Sequence, residues 1–271
     1  MEPFQSHIPS THVSDTQASL IDEEVKEMIQ KGAVHAVPNS HPRDGFVSFL
    51  FLVPKKGGGQ RPVINLKGLN QFLEYQHFKV EGIHMLRDLV KENDHLVEID
   101  LKDAYFTIPI WKNHQKYLRF LWKDTLLEFT CLPFGLASAP LVLTKILRPV
   151  VALLRKQGVR LIIYLDDIPI MAESVEIAKA HANLAVNLLT SLGFVINHKR
   201  SVLNPSQQLE FLGFTVNSVT MTLSLTHDKL RQIRRESKSL LSNNPVSVRE
   251  LSRFLGKLNA SIQEVFPAPL N

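Results

Sequence analysis

Cysteine is almost missing from this chain: Cys131 is the single one among 271 residues. One thiol excludes an internal disulfide and fits a reducing compartment, cytoplasmic or nuclear. No apolar run reaches the roughly 18 residues that a membrane span needs, so no membrane partner is expected. The start, Met1 to Asp15, is polar and lacks the hydrophobic core of a signal peptide. The 11 His are scattered, and no Cys/His spacing reads as a zinc site. Internal repeats and low-complexity tracts are also missing. What is present is enough apolar content, 44%, to bury one large core or two smaller ones. A net charge of +5 and a pI near 9.3 are compatible with a nucleic-acid partner, although many basic proteins bind none.

Tyr164-Leu165-Asp166-Asp167 is the most informative segment. Leu161-Ile162-Ile163 lead into it, and Ile168, Pro169, Ile170 and Met171 follow. The pattern predicts a buried strand that delivers two adjacent carboxylates to a tight turn, and a second apolar strand that leaves. Burying two uncompensated acids costs several kcal/mol, and the usual remedies are a raised pKa or a bound cation. Pro169 removes a ladder donor and fits an edge or a bulge better than a central strand. A third acid, Asp100, lies near the end of a predicted strand, Leu96 to Leu101, with Asp103 just beyond.

Around these acids the chain reads as mixed helix and strand. A polar lead to about Thr16 is expected to be flexible. An amphipathic helix follows, with Leu20, Val25, Met28 and Ile29 on one face and Gly32 as its stop. Val47 to Pro54 and Val63 to Leu66 read as a hairpin around the basic, glycine-rich stretch Lys55 to Arg61. Another strand is predicted from Lys116 to Leu121. Leu132 to Pro140 is a turn that feeds a helix bearing Leu143, Ile146, Leu147, Leu153 and Leu154, with Pro140 in its first turn. A second long helix runs from Val175 to Leu192. Near the end, Thr226 starts a helix with Leu230, Ile233, Leu240 and Leu241 on one side and Arg231, Arg234, Arg235 and Lys238 on the other. Ser247 and Glu250 form a capping-box pattern for a last helix.

Three carboxylates on neighbouring strands suit Mg²⁺, a hard cation that keeps waters and is shared with substrate phosphates. Two such ions clamp the attacking and leaving oxygens of a phosphoryl displacement. The plainer reading is that Asp-Asp is a turn. Lys55, Lys56 and Arg61 suit a triphosphate, or are a solvated hairpin tip. Tyr105 is an aromatic wall for a sugar, or plain core. Lys199 is a proton donor to a pyrophosphate leaving group, or a surface lysine beside Arg200. The basic helix side lies along a phosphate backbone, or is simply solvated.

Taken in order, these segments resemble a reverse transcriptase. Leu52-Val53-Pro54-Lys55-Lys56 through Arg61-Pro62-Val63-Ile64-Asn65-Leu66-Lys67-Gly68-Leu69-Asn70 is similar to the family's fingers hairpin. Ile99-Asp100-Leu101-Lys102-Asp103-Ala104-Tyr105-Phe106 resembles its first catalytic motif. Leu132-Pro133-Phe134-Gly135-Leu136 with Ser138-Ala139-Pro140 resembles its template and nucleotide motif, and Tyr164-Leu165-Asp166-Asp167 its YxDD box. Leu192-Gly193-Phe194 with Lys199, then Phe211-Leu212-Gly213, resemble the last two palm motifs. Six motifs in order over residues 20 to 260 are far more specific than any one. Phe134 stands where retroviral enzymes carry glutamine. The Ser247-Val248-Arg249-Glu250-Leu251 helix and the Pro-Leu tail look most like retrotransposons of the tyrosine-recombinase, or DIRS-type, group.

The resemblance implies an α+β right-hand polymerase fold: a lead at 1–16, fingers at 17–76 and 107–139, an antiparallel-sheet palm at 77–106 and 140–221, and a partial helical thumb at 222–271. It implies an RNA-directed DNA polymerase whose Asp100, Asp166 and Asp167 hold two Mg²⁺, with Mn²⁺ able to substitute, while a primer 3′-hydroxyl attacks a dNTP. Lys55 and Arg61 then contact the triphosphate, and Asp103 and Ala104 offer backbone N–H groups. Tyr105 crowds a 2′-hydroxyl, Gly135 lets nucleotide and template approach, and Lys199 donates a proton. Leu212 and Gly213 grip the primer of an RNA or DNA template. No second cluster of acids is present, so ribonuclease H activity is not expected from this chain alone. Two rivals stand beside this reading: a decayed or domesticated relic that binds nucleic acid without synthesis, and an RNA-copying RNA polymerase, which Tyr105 disfavours.

Overall fold

The computed structural model describes residues 2–11, 13–54, 60–74, 76–242 and 245–261, the side chain of Arg61 excepted. The chain divides into two units, each assembled from separate stretches. Met1–Lys79, Leu101–Pro149 and Ser191–Val195 form the first, and Val80–Asp100, Val150–Thr190 and Ile196–Asn271 the second.

In the first unit, helix Asp15–Gln30 follows Ser14, whose N–H donates to Gln17 Oε1 at 3.1 Å. Ile21, Val25 and Met28 recur at helical spacing and are buried. Leu20 and Ile29, expected on the same face, are exposed instead. Ile21 and Met28 face inward, so their neighbours Leu20 and Ile29 turn outward. Gly32 ends the segment at φ +67, a left-handed stop that suits glycine.

Val34–Ala36, Thr125–Phe129, Arg119–Trp122 and Val47–Ser48 form a four-stranded sheet in that order. Cross-strand partners Arg119 and Glu128 are both buried in it and meet at 2.7 Å. The stretch Val47 to Pro54 is two strands rather than one. Val47–Ser48 joins this sheet, while Leu50–Pro54 pairs with Gln60–Ile64 as the expected hairpin. Lys55 and Lys56, with the glycines after them, lie outside the described residues. The lead is tied down rather than loose. Gln5 exchanges bonds of 2.9 and 2.6 Å with the Val47 backbone, and Leu50 N–H donates to Thr11 Oγ1 at 3.0 Å. Strand groups that would otherwise lack partners thus find them in the polar lead.

Helix Ala139–Lys156 runs from the first unit into the second, with Pro140 in its opening turn and Pro149 inside it. Leu143, Leu147, Val151 and Leu154 are buried, while Ile146 and Leu153 are exposed.

The second unit is built on a five-stranded sheet. His95–Lys102 lies between Asp167–Ala172 on one side and Val195–Ile196 and Val202–Ser206 on the other, and Arg160–Leu161 lies outside Asp167–Ala172. A meander, Gln208–Phe211, Phe214–Asn217 and Thr222–Leu225, adds a second small sheet. Ile83 and Leu86 of helix Ile83–Leu89 join Leu96, Ile162, Met171, Phe211 and Phe214 in one apolar cluster. Helix Val175–Ser191 buries Ala178, Ala182, Ala185 and Leu189. Helices His227–Ser242 and Val248–Asn259 close the described chain, joined by a Lys257–Glu236 ion pair. The capping box expected at Ser247 is formed: Ser247 N–H donates to Glu250 Oε2 at 3.1 Å and Glu250 N–H to Ser247 Oγ at 3.2 Å.

Asp94, 1% exposed at the start of the central strand, is held by both Arg160 amino groups at 2.6 Å and by Lys91 N–H at 2.7 Å. Replacing it takes both carboxylate bonds from Arg160, which keeps Leu89 C=O at 3.0 Å and Glu173 at 3.5 Å, and leaves Lys91 N–H without its acceptor. Asp94→Ala should therefore lower unfolding stability by about 3 kcal/mol, read from urea melts.

Candidate active site

The hairpin that carries Asp166 and Asp167 is closed by its own backbone. Tyr164 N–H donates to Asp167 C=O at 2.9 Å, and Asp167 N–H returns to Tyr164 C=O at 3.0 Å. Leu165 turns the corner at φ +57. A non-glycine residue there costs roughly 1–2 kcal/mol, a strain typical of functional turns. Because Asp167 spends both backbone groups on Tyr164, its pair across the sheet with Asp100 is of the non-hydrogen-bonded kind. Such pairs bring Cα atoms to about 4.5 Å and side chains close together. The backbone of Asp100 faces the other way: its N–H donates to Ser201 Oγ at 3.0 Å, and its C=O accepts from Asn197 at 2.8 Å.

The strand into the turn is shorter than expected. Its ladder ends at Leu161 and resumes only as a bridge at Tyr164. Pro169 is the reason. Ile162 N–H donates to Pro169 C=O at 3.1 Å, so the proline nitrogen faces the short outer strand, where the return bond cannot form. The ladder to His95–Lys102 keeps its register through Glu98↔Pro169. Glu81 supports the approach, accepting Ile163 N–H at 2.9 Å while paired with Arg155 at 2.7 Å.

Crowding of like charge dominates the electrostatics. Burial first, then the charges of Asp166 and Asp100, push Asp167 up to about 6, with Arg200 pulling the other way. Asp166 is raised as well, by burial and then by Asp100. Glu98 lies two residues before Asp100 on the same side of the strand. Burial, Asp167 and Asp100 push it up to about 7. Asp100 Oδ1 is buried without a hydrogen-bond partner, and Oδ2 meets Arg200 Nη2 at 3.1 Å. Among the described residues, no three acidic, His or Cys side chains are gathered into a ready cation cage. The donor chemistry nonetheless fits a hard divalent cation: several carboxylates, an unpaired buried oxygen and a shortage of positive charge. Lys199 is exposed, and Arg200 is the cation that meets Asp100.

Other expected site residues lie in the first unit. Asp103 sits at φ +51 and pairs with Lys31 at 2.7 Å. Ala104 is buried and opens the 3₁₀ turn Ala104–Thr107, in which Phe106 N–H donates to Asp103 C=O at 2.8 Å. Tyr105 meets Phe134 edge to face with ring centroids 5.0 Å apart, and Phe106 meets the same ring at 5.6 Å. Gly135 is at φ +92, and a Cβ there would find only Ile64 C=O at 3.6 Å. Backbone conformation, not a close approach, is what demands glycine. Its C=O accepts from Asn70 at 2.9 Å, and Asn70 Oδ1 accepts Ala137 N–H at 2.9 Å. Arg61 lies on the strand Gln60–Ile64, its side chain outside the described residues, as is Lys55. In the second unit, Leu212 at φ +51 and Gly213 at φ +80 form a two-residue hairpin turn between paired Phe211 and Phe214.

Three residues of the site lie outside the expected set: Glu98, which the strand period of two would place beside Asp100; Arg200, which rather than its neighbour Lys199 meets Asp100; and Phe134, which braces Tyr105.

The fold is that of the right-hand polymerase class. A foamy viral protease-reverse transcriptase in complex with double-stranded DNA superposes with TM-score 0.75 at 22% identity, covering 96% of this chain and 42% of that one. The same protein in complex with an RNA/DNA hybrid gives TM-score 0.74 at 22% identity, covering 96% and 32%. At that identity the likeness shows the fold. Residues 53–216 match the family model for reverse transcriptase (RNA-dependent DNA polymerase), and the chain belongs to that family. The transposon Tf2-3 polyprotein of Schizosaccharomyces pombe is 25% identical over 211 residues, and the Tf2-7 polyprotein 24%. The match covers 78% of this chain and 15% of each polyprotein.

A carboxyl with a raised folded pKa holds its proton more tightly folded than unfolded. Its contribution is full below the ordinary values of 3.8 and 4.5 and is lost as pH rises through the folded values of about 6 and 7. In chelator, thermal stability should therefore fall between about pH 4.5 and 7. Glu98→Gln should flatten that decline; an unchanged slope would remove Glu98 from it.

Proposed function

We propose that this chain is an RNA-directed DNA polymerase domain of a retrotransposon polyprotein, which adds dNTPs to a primer 3′-hydroxyl. The observation that carries the reading is the Asp100↔Asp167 register, which sets a third acid against the Asp166-Asp167 turn. Membership of the reverse transcriptase family supports it, as do relatives that are transposon polyproteins and neighbours bound to double-stranded DNA and RNA/DNA hybrid. In this reading the fingers are 17–76 and 107–139, the palm 77–106 and 140–221, and the thumb begins at 222. The Ser247-to-Leu251 helix motif supports the tyrosine-recombinase group of elements.

Asp100, Asp166 and Asp167 would hold Mg²⁺, or Mn²⁺ in its place. The bound ions supply charge neutralisation and orientation for the attacking and leaving oxygens. The chain's residues do the rest. The closed turn fixes where Asp166 and Asp167 present their oxygens, and the strain at Leu165 is absorbed by the ladder beside it. Lys55 and Arg61 bind the triphosphate, and backbone N–H groups at Asp103 and Ala104 orient it. Tyr105, braced by Phe134, excludes a 2′-hydroxyl. Lys199 donates a proton to the leaving pyrophosphate. Gly135 keeps its loop open to nucleotide and template, and Leu212 with Gly213 holds the primer end. The relic reading is weakened by the intact acids and by a ladder that accommodates Pro169.

Primer extension on an RNA template with dNTPs and Mg²⁺ tests the proposal. The parent chain should extend and Asp166→Asn should not; template binding without extension would favour the relic. Tyr105→Ala should raise ribonucleotide incorporation roughly tenfold relative to dNTPs, and an unchanged ratio would remove Tyr105 from the gate. Template affinity should fall steeply between low and moderate salt, as a phosphate-dominated interface requires; a flat response would sink that interface.

A further inference from the structure

We propose that Arg200 is the built-in counter-cation of the acidic cluster, holding Asp100 until a divalent cation displaces its guanidinium. The inference rests on the reading of Asp100, Asp166 and Asp167 as metal-holding residues and concerns how this chain stores that site before loading.

Four carboxylates, Glu98, Asp100, Asp166 and Asp167, influence one another electrostatically, and Arg200 is the cation that acts on Glu98, Asp166 and Asp167 alike. Its Nη2 lies 3.1 Å from Asp100 Oδ2. The backbone beneath it is clamped. Asn197 N–H donates to Asp100 C=O at 2.8 Å, Ser201 Oγ accepts Asp100 N–H at 3.0 Å, and Arg200 N–H closes the turn onto Asn197 C=O at 3.0 Å. The root of the side chain is therefore fixed beside the acid. The side chain itself is 68% exposed, whereas that of Asp100 is 4% exposed. A fixed root with a solvated head can swing away without disturbing the strand.

The pairing is also incomplete. Arg200 meets Oδ2 while Oδ1 stays buried without a partner. A small divalent cation that shares oxygens with the neighbouring acids would use donors the guanidinium leaves idle. An ion pair with one solvated partner shifts an equilibrium by roughly fivefold at most, so the latch is weak enough to yield. Its role is positioning: it offsets the repulsion among the acids in the metal-free chain and competes with the cation that replaces it.

The test is binding of Mn²⁺ to the unliganded chain, counted by electron paramagnetic resonance, with melting temperature in chelator and in excess Mg²⁺ as a second readout. Arg200→Ala and Arg200→Gln should bind Mn²⁺ about two- to fivefold more tightly than the parent. Both should melt earlier in chelator and regain the difference in Mg²⁺. Arg200→Lys should stay near the parent. Lys199→Ala, which removes the same charge one residue away, should change affinity less than either. Equal or weaker Mn²⁺ binding in Arg200→Ala and Arg200→Gln would overturn the latch while leaving the metal site standing. So would a Lys199→Ala effect as large as theirs. Mn²⁺ binding by none of the proteins, the parent included, would overturn the latch together with the metal reading.

Discussion

Repulsion among carboxylates brought into one half-buried place is the constraint that organises the second unit. Asp167 stands opposite Asp100, Asp166 is next in the turn, and Glu98 lies one pleat back. Left alone, such a group would neutralise itself by taking up protons, as the raised positions of Glu98 and Asp167 express. The fold resists dispersal by fixing the backbone on both sides of the acids. Tyr164 closes the turn, Ser201 and Asn197 hold Asp100, and Glu81 with Arg155 secures Ile163. The acids are thus held together against their own repulsion, with the Arg200 guanidinium offsetting part of it.

The first unit solves a different problem, that of shaping loops. Asp103 and Gly135 adopt left-handed backbone, and each is anchored from outside its loop: Asp103 by Lys31, Gly135 by Asn70. Phe134 meets both Tyr105 and Phe106 edge to face, so these rings are held by aromatic contact.

Much of this was legible in the sequence because its signals are local. The Ser247 capping box, the hairpin around the glycine-rich stretch and the acid-bearing turn each rest on residues within a few positions of one another. What was not legible depends on choices between near neighbours that only packing resolves. Ile21 rather than Leu20 faces inward, which a helical wheel with apolar residues on adjacent positions leaves open. Phe49 separates two strands that read as one, because each side finds a different partner sheet. Arg200 rather than Lys199 reaches the acid, a matter of one position along a turn whose clamp is made by backbone groups invisible to a motif.

Pro169 has a meaning beyond the missing bond. In the observed register its nitrogen faces the short outer strand, where one lost hydrogen bond is tolerated. A slip of one residue would turn every side chain of that strand to the other face and point the proline at the central strand instead, breaking the inner ladder. The residue that looks like a flaw in the hairpin therefore penalises its misalignment. It works as a proofreading mark for strand pairing and favours the alignment in which Asp167 comes to rest opposite Asp100.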